Sequence, residues 1–284
     1  MMPGPRPRPL PLPVRRLRHR LRPRGRPRFR GLSFNRVIPN LLTMVGLCAG
    51  LTAVRFALEG RFGAAAVAIT AAAAIDGIDG RLARLLKATS RFGAEFDSLT
   101  DFLCFGVAPS IVLYAWSLQW LHGFGFVPCL FFAVCMALRL ARFNAALESG
   151  PHPAYTYNFF TGVPAPAGAG LALFPLFVGL EAEQLGWHWL YTAAHFPPFV
   201  AAVLIGTAIL LVSTLPVWSF KNFKVPAEYV LPLLLGTGLF AALLVADPWA
   251  ALAAAGAIYV VMLPFSARSF RRLKQAAEGT EPPA

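Results

Sequence analysis

The sequence predicts an all-α, polytopic membrane protein of about eight spans, and three observations carry that reading. Apolar residues make up 57% of the chain and charged residues only 14%, where a soluble domain would carry about 25% charged. The surplus apolar residues fall in long blocks, each near the roughly 20 residues needed to cross a hydrocarbon core. The mean hydropathy is +0.58. Positive charges, finally, gather in alternate connecting segments, as the positive-inside rule expects of a membrane protein.

Residues 1–36 hold twelve of the 26 Lys+Arg, many prolines and no acidic residue. Such a composition cannot bury enough apolar area to fold, so it reads as a disordered basic arm on the cytoplasmic side, attracted to anionic lipid heads. It has too long an arginine run and no suitable cleavage site for a signal peptide. A nucleic-acid tail is the competing reading, but few aromatics are present to stack on bases. No nucleic-acid partner is therefore expected.

A transmembrane domain follows over residues 37–268, and a cytoplasmic tail over 269–284. Helices are expected over 38–58, 62–86, 95–120, 124–145, 163–185, 197–217, 226–246 and 249–267. Turn signals separate them: Glu59-Gly60, Gly123, Ser149–Pro153, Phe196-Pro197-Pro198, Pro226 and Asp247-Pro248. Eight spans put both termini on one side. On that side fall the arm, Arg81, Arg84, Lys87 and Arg91, then Arg139 and Arg142, then Lys221 and Lys224, then Arg268, Arg271, Arg272 and Lys274. Only Arg55 and Arg61 fall opposite. Both termini are thus expected in the cytoplasm. Cys48, Cys104, Cys129 and Cys135 lie in apolar blocks without C-x-x-C spacing, so they read as packing residues.

One region carries chemistry: AIDGIDGRLARLLKATSRFGAEFDSLTDFLCFG, residues 74–106. Asp76 and Asp79 are three apart, and Asp97 and Asp101 four apart. On helices, both spacings put a pair on one face. Each aspartate in a membrane helix costs about 2.5–3.5 kcal/mol, and four facing each other cost more unless cations lie between them. Hard divalent ions with oxygen ligands, Mg²⁺ or Mn²⁺, fit; no histidine is near, which argues against zinc. Two such ions would form the clamp used in phosphoryl displacement. The competing reading pairs these aspartates with Arg81, Arg84 and Arg91. Gly77 and Gly80 remove side chains beside the carboxylates, which suits either a ligand's approach or helix packing.

The pattern Asp76-x-x-Asp79-Gly80-x-x-Ala83-Arg84, then eight residues, then Gly93-x-x-x-Asp97-x-x-x-Asp101 resembles the signature of the CDP-alcohol phosphatidyltransferases. The resemblance implies a helical membrane fold with a polar cavity open to the cytoplasm, as a homodimer. It implies that Asp76, Asp79 and Asp97 bind metal, and that Asp101 contacts metal and serves as general base. It further implies that Gly80, Ala83 and Arg84 hold the CDP moiety of the lipid substrate. Attack on the β-phosphorus is expected to be direct, since no Ser–His or Cys–His pair is suggested.

Other stretches resemble the membrane-integral phosphatidylserine synthases of that family. They are Ile38–Thr43, Asp97-Ser98-Leu99 leading to Phe105–Pro109, Arg139–Asn144, Phe160–Pro166 and Ser219–Lys224. They imply CDP-diacylglycerol and L-serine as substrates and phosphatidylserine and CMP as products, in the bacterial inner membrane. Arg139 and Arg142, three apart, would share a face suited to a carboxylate or phosphate, with Asn144 orienting the ligand. Their alternative role is as positive-inside anchors, and the same holds for Lys221 and Lys224. Asn40 and Thr43 would close the nucleotide end of the cavity or cap a helix. Other acceptors remain open: glycerol 3-phosphate, inositol phosphate and choline. A cation transporter is the remote alternative, disfavoured because Glu181, Glu183, Glu228 and Asp247 map near span ends.

Overall fold

The structure, a computed structural model, describes residues 34–86, 88, 90–148, 159–218 and 227–278. The arm to Ser33, Lys87, the Ser149–Pro153 turn, Lys221, Lys224, Pro226 and the last six residues lie outside them. Among the described residues, the order is α1 (Phe34–Leu58), α2 (Phe62–Leu85), α3 (Arg91–Asp101), a π-helical turn (Phe102–Val107) and α4 (Ala108–Trp116). A 3₁₀ stretch (Leu118–Gly125), α5 (Phe126–Glu148), strand β1 (Phe159–Thr161), α6 (Ala165–Ala172) and α7 (Phe174–Gln184) follow. The chain continues with α8 (His188–His195), α9 (Pro197–Val212), strand β2 (Pro216–Trp218), α10 (Ala227–Ala246) and α11 (Pro248–Glu278).

The all-α, membrane-spanning class is borne out. Six described helices are long and apolar enough to cross a membrane, and two bent pairs raise the number to eight. Those pairs correct the expected straight spans over 163–185 and 197–217. α6 and α7 meet at 46°, and α8 and α9 at 55°. Pro175 and the Pro197-Pro198 pair lie just past the breaks, and proline both lacks an N–H and clashes with the preceding turn. The second pair therefore begins at His188, earlier than the expected 197. A further departure is a two-stranded antiparallel ladder, Phe159 opposite Trp218 and Thr161 opposite Pro216. It joins the segment before α6 to the one after α9. α11 also runs on to Glu278, so the expected tail from 269 starts as helix.

The third span carries a local distortion that matters for the site. Directly after Asp101 the helix widens into π winding over Phe102–Val107. Pro109 explains it: its ring would clash with the carbonyl of Phe105 in a regular α-helix, and its missing N–H leaves that carbonyl unpaired. π turns inside α-helices recur at functional sites.

Packing follows membrane rules, in which small residues let helices approach closely. α2 buries Ala65, Ala66, Ile69 and Ala72, and packs along α1. Gly50 of α1 is pressed against the π turn, where an added Cβ would run into Cys104 Sγ and lie 3.2 Å from its Cα. The core gathers Phe105, Leu113, Phe132, Met136, Leu176 and Leu204. Cys104, Cys129 and Cys135 are buried there as free thiols, and Cys48 faces outward. α10 packs mainly on α11, and none of its hydrophobic window is buried within this chain.

Gly50→Val should destabilise the protein by about 1–3 kcal/mol through overpacking, read as a lower thermal midpoint in detergent. Gly77→Ala is the control, because a Cβ at Gly77 meets nothing within 4 Å. Equal midpoints for the two variants would contradict this packing.

Candidate active site

The site assembles where one end of several helices meets. Asp76 and Asp79 lie in the second half of α2 and Asp97 and Asp101 on α3, with the short 86–90 connection between. Ser90 starts α3 as its N-cap, its Oγ accepting from the Gly93 N–H at 3.0 Å. Such a cap satisfies one orphan donor and fixes where the helix begins. The beginning of α1 closes in from the side: a Cβ on Gly93 would come within 2.9 Å of Asn40 Oδ1. Glycine at 93 thus permits a close approach of α1 and α3.

Carboxylate oxygens of Asp76, Asp97 and Asp101 all lie within 4.8 Å of one another. All four aspartates line one small cavity, together with Thr43, Thr100, Cys104 and Phe105. The expected paired faces are therefore real, and two neighbouring helices do turn them inward. Asp79 takes a different position in that set. It is buried, with 3% exposure, and its Oδ2 accepts a 2.7 Å hydrogen bond from Thr43 Oγ1. Thr43 also lies 3.1 Å from the Pro39 carbonyl.

Among the described residues, no salt bridge within 4.0 Å reaches the cluster; the ion pairs are Arg55–Glu59 and Arg61–Glu59, far from it in the sequence. Arg81, Arg84 and Arg91 are exposed, so the reading that pairs them with the aspartates fails. Three convergent carboxylates with no cationic side chain in ion-pair reach among the described residues are costly in a membrane span. Thr100 Oγ1 is buried in the same cavity without a partner. Cys104 Sγ is turned to the Gly46 carbonyl at 3.4 Å. The donor set facing the cavity is thus oxygen, and it fits a hard divalent cation.

The remaining expected residues separate into groups. Gly80 and Gly77 are open: a Cβ at either meets nothing within 4 Å, so they are not packing glycines within this chain. Ala83 is half-buried and Arg84 exposed in the last turn of α2. Arg139 is half-buried, and its Nε donates to the Val163 carbonyl at 2.6 Å. Arg142 instead serves the end of α9, donating to the carbonyls of Val212 at 2.8 Å and Ser213 at 3.2 Å. A cation at a helix C-terminus satisfies carbonyls that the helix leaves free. Asn144 exchanges hydrogen bonds with Ser98 on α3, at 3.0 and 3.3 Å. It therefore ties α5 to the helix bearing Asp97.

Thr100 was missed in the sequence reading. The signal was present, since positions 97, 100, 101 and 104 share one helical face. The acidic residues weighed for transport are peripheral, as expected. Glu181 and Glu183 end α7, Glu228 starts α10, and Asp247 Oδ1 accepts from the Ala250 N–H at 3.3 Å at the start of α11.

A family model described as CDP-alcohol phosphatidyltransferase matches residues 36–196. The chain belongs to the CDP-alcohol phosphatidyltransferase family. A second model, CDP-alcohol phosphatidyltransferase 2, matches residues 228–264. Relatives agree over most of the length. A CDP-diacylglycerol–serine O-phosphatidyltransferase of Mycobacterium bovis is 43% identical over 257 residues, 89% of this chain and 86% of the relative. One of Helicobacter pylori is 36% identical over 190 residues, 66% of this chain and 74% of the relative. An archaetidylserine synthase of Methanothermobacter thermautotrophicus is 32% identical over 140 residues, 46% of this chain and 54% of the relative. In this phosphatidyltransferase the family motif therefore coincides with the convergent aspartates.

Thr43→Val keeps the side-chain volume but removes the donor to Asp79. We expect stability in metal-free buffer to fall by about 1.5–3 kcal/mol, the range for a hydrogen bond to a charged group. Thermal midpoints measured with and without a divalent cation check this: the loss should shrink when the cation is present. A loss independent of cation would contradict the reading of the cavity.

Proposed function

We propose that this protein transfers the phosphatidyl group of CDP-diacylglycerol to L-serine, releasing CMP and phosphatidylserine. The observation that carries the reading is the convergence of Asp76, Asp97 and Asp101 within 4.8 Å, inside the family motif. The serine acceptor is supported by the relatives whose names specify it, at 43% identity over 89% of this chain.

Asp76, Asp97 and Asp101, with Asp79 beside them, would hold the divalent ions, Mg²⁺ or Mn²⁺ and two in number. When bound, such ions neutralise diphosphate charge and the charge developing on the departing CMP. Asp101 takes the proton of the serine hydroxyl as general base. The freed oxygen forms a bond to the β-phosphorus, in line with the P–O bond to CMP that breaks. Thr43 holds Asp79, and the Asn144–Ser98 pair holds α3, so the carboxylates keep their places. Gly80, with open space at its Cα, leaves room for the CDP moiety, and Ala83 and Arg84 flank it.

The setting proposed is a bacterial inner membrane, with both termini and the site on the cytoplasmic side and two copies forming a homodimer. The placement of Arg81, Arg84, Arg91, Arg139 and Arg142 toward the end of their helices nearest the aspartates supports that orientation. Residues 1–36 act as a basic arm, 37–268 as the membrane domain and 269–284 as the tail.

Purified protein given CDP-diacylglycerol and, in turn, radiolabelled serine, glycerol 3-phosphate, inositol phosphate or choline tests the acceptor. CMP release should depend on serine and stop with a chelator. Release with another acceptor and none with serine would overturn the choice. Asp101→Asn should lower kcat by about 10²–10⁴-fold, the usual share of general-base catalysis; intact turnover would remove Asp101 from that role.

A further inference from the structure

Among the described residues, three uncharged polar side chains border the aspartate cavity: Thr43, Thr100 and Cys104. Two of them are engaged. Thr43 donates to Asp79 and lies against the Pro39 carbonyl, and Cys104 Sγ is turned to the Gly46 carbonyl. Thr100, in the last turn of α3, is only 7% exposed, and its Oγ1 is buried without a hydrogen-bond partner among the described residues. A threonine in a helix has the carbonyl three or four residues back within reach of its hydroxyl. Thr52, Thr70, Thr207 and Thr237 of this chain all use it, at 2.7–2.9 Å. Thr100 forgoes that local bond. A buried hydroxyl left without one costs stability, and valine, of nearly the same shape, would avoid the cost.

The walls of the cavity decide which class of ligand suits this hydroxyl. All four aspartates border it, and carboxylate oxygens of Asp76, Asp97 and Asp101 lie within 4.8 Å of one another. Thr100 follows Asp97 by three residues on α3, so the two share a face. An anion entering alone meets like charge, and an apolar group offers the hydroxyl no bond. A divalent cation is drawn in by the carboxylates and also accepts a neutral oxygen, since hard cations are held by mixed sets of carboxylate, hydroxyl and water. A further carboxylate here would raise the cost of the metal-free state in a membrane span, whereas a hydroxyl enlarges the oxygen shell without adding charge.

We propose that Thr100 Oγ1 joins the oxygen shell of the divalent cation held by the aspartates, touching the ion or a water that the ion carries. The inference rests on the reading that the aspartates bind a cation. It adds a neutral ligand at one of the unspecified positions between Asp97 and Asp101, outside the residues that define the motif.

The test uses full-length wild type, Thr100→Val and Thr100→Ser, each purified in detergent and freed of metal. Titration with Mn²⁺, followed by electron paramagnetic resonance, gives the affinity of each. Thr100→Val should weaken Mn²⁺ binding about tenfold, the share of one bond to a charged group, and Thr100→Ser should restore it. Line broadening in ¹⁷O-water separates the two forms of contact: one more bound water in Thr100→Val marks direct contact, and an equal number marks contact through water. In metal-free buffer the thermal midpoint of Thr100→Val should be no lower than that of wild type, because the hydroxyl removed bonds nothing there. Thr43→Val differs in this respect, since it loses a bond to Asp79. Unchanged Mn²⁺ affinity in Thr100→Val would overturn the proposal while leaving the cation reading intact. A lower metal-free midpoint, which marks a hydroxyl that serves the fold alone, would overturn it too, as would a weakened affinity that Thr100→Ser fails to restore. Wild type that binds no Mn²⁺ would overturn it together with the reading on which it rests.

Discussion

The constraint on which the structure depends is the cost of turning four aspartates inward within membrane helices. Asp76, Asp97 and Asp101 converge within 4.8 Å without a cationic side chain in ion-pair reach among the described residues. At about 2.5–3.5 kcal/mol for each such residue, the arrangement persists only with compensation. Part of it comes from Thr43, which holds Asp79, and the rest suits a bound divalent cation. The close packing of α1 on α2 and on the π turn, through Gly46 and Gly50, then serves to keep those carboxylates in register.

The distortions of the helices lie close to this constraint. The π turn begins at the residue after Asp101, so the helix departs from regular winding where the last carboxylate is placed. Pro109 makes that departure necessary, while Gly106 makes room for Met136, which lies 3.0 Å from where a Cβ would be. Arg142 and the β1–β2 ladder secure the end of α9 next to the segment carrying Val163. Val163 in turn fixes Arg139. Second-layer contacts of this kind decide whether a site is held to within the tolerance its chemistry needs.

Much of this was legible in the sequence, for a physical reason. Charge in a membrane span is so costly that Asp76, Asp79, Asp97 and Asp101 stand out without any structure. The three- and four-residue spacings then fix their faces. The long apolar blocks announce the spans for the same reason. What stayed hidden depends on long-range geometry. Arg142 looks like a ligand residue from its spacing with Arg139, yet it meets the carbonyls of α9, some 70 positions away. Asn144 likewise meets Ser98. The bends at Leu173 and Phe196 were signalled by proline, but proline alone does not say whether a span kinks or ends.

The measurement that bears most directly on the central claim is Mn²⁺ binding by electron paramagnetic resonance, in the purified wild type and in Asp76→Asn, Asp97→Asn and Asp101→Asn. Expected is a bound-Mn²⁺ signal in wild type that is weakened by each substitution, while the thermal midpoint in metal-free buffer rises as a carboxylate is neutralised. Mn²⁺ binding unchanged by all three, or midpoints that fall in all three, would contradict a cation-compensated aspartate centre.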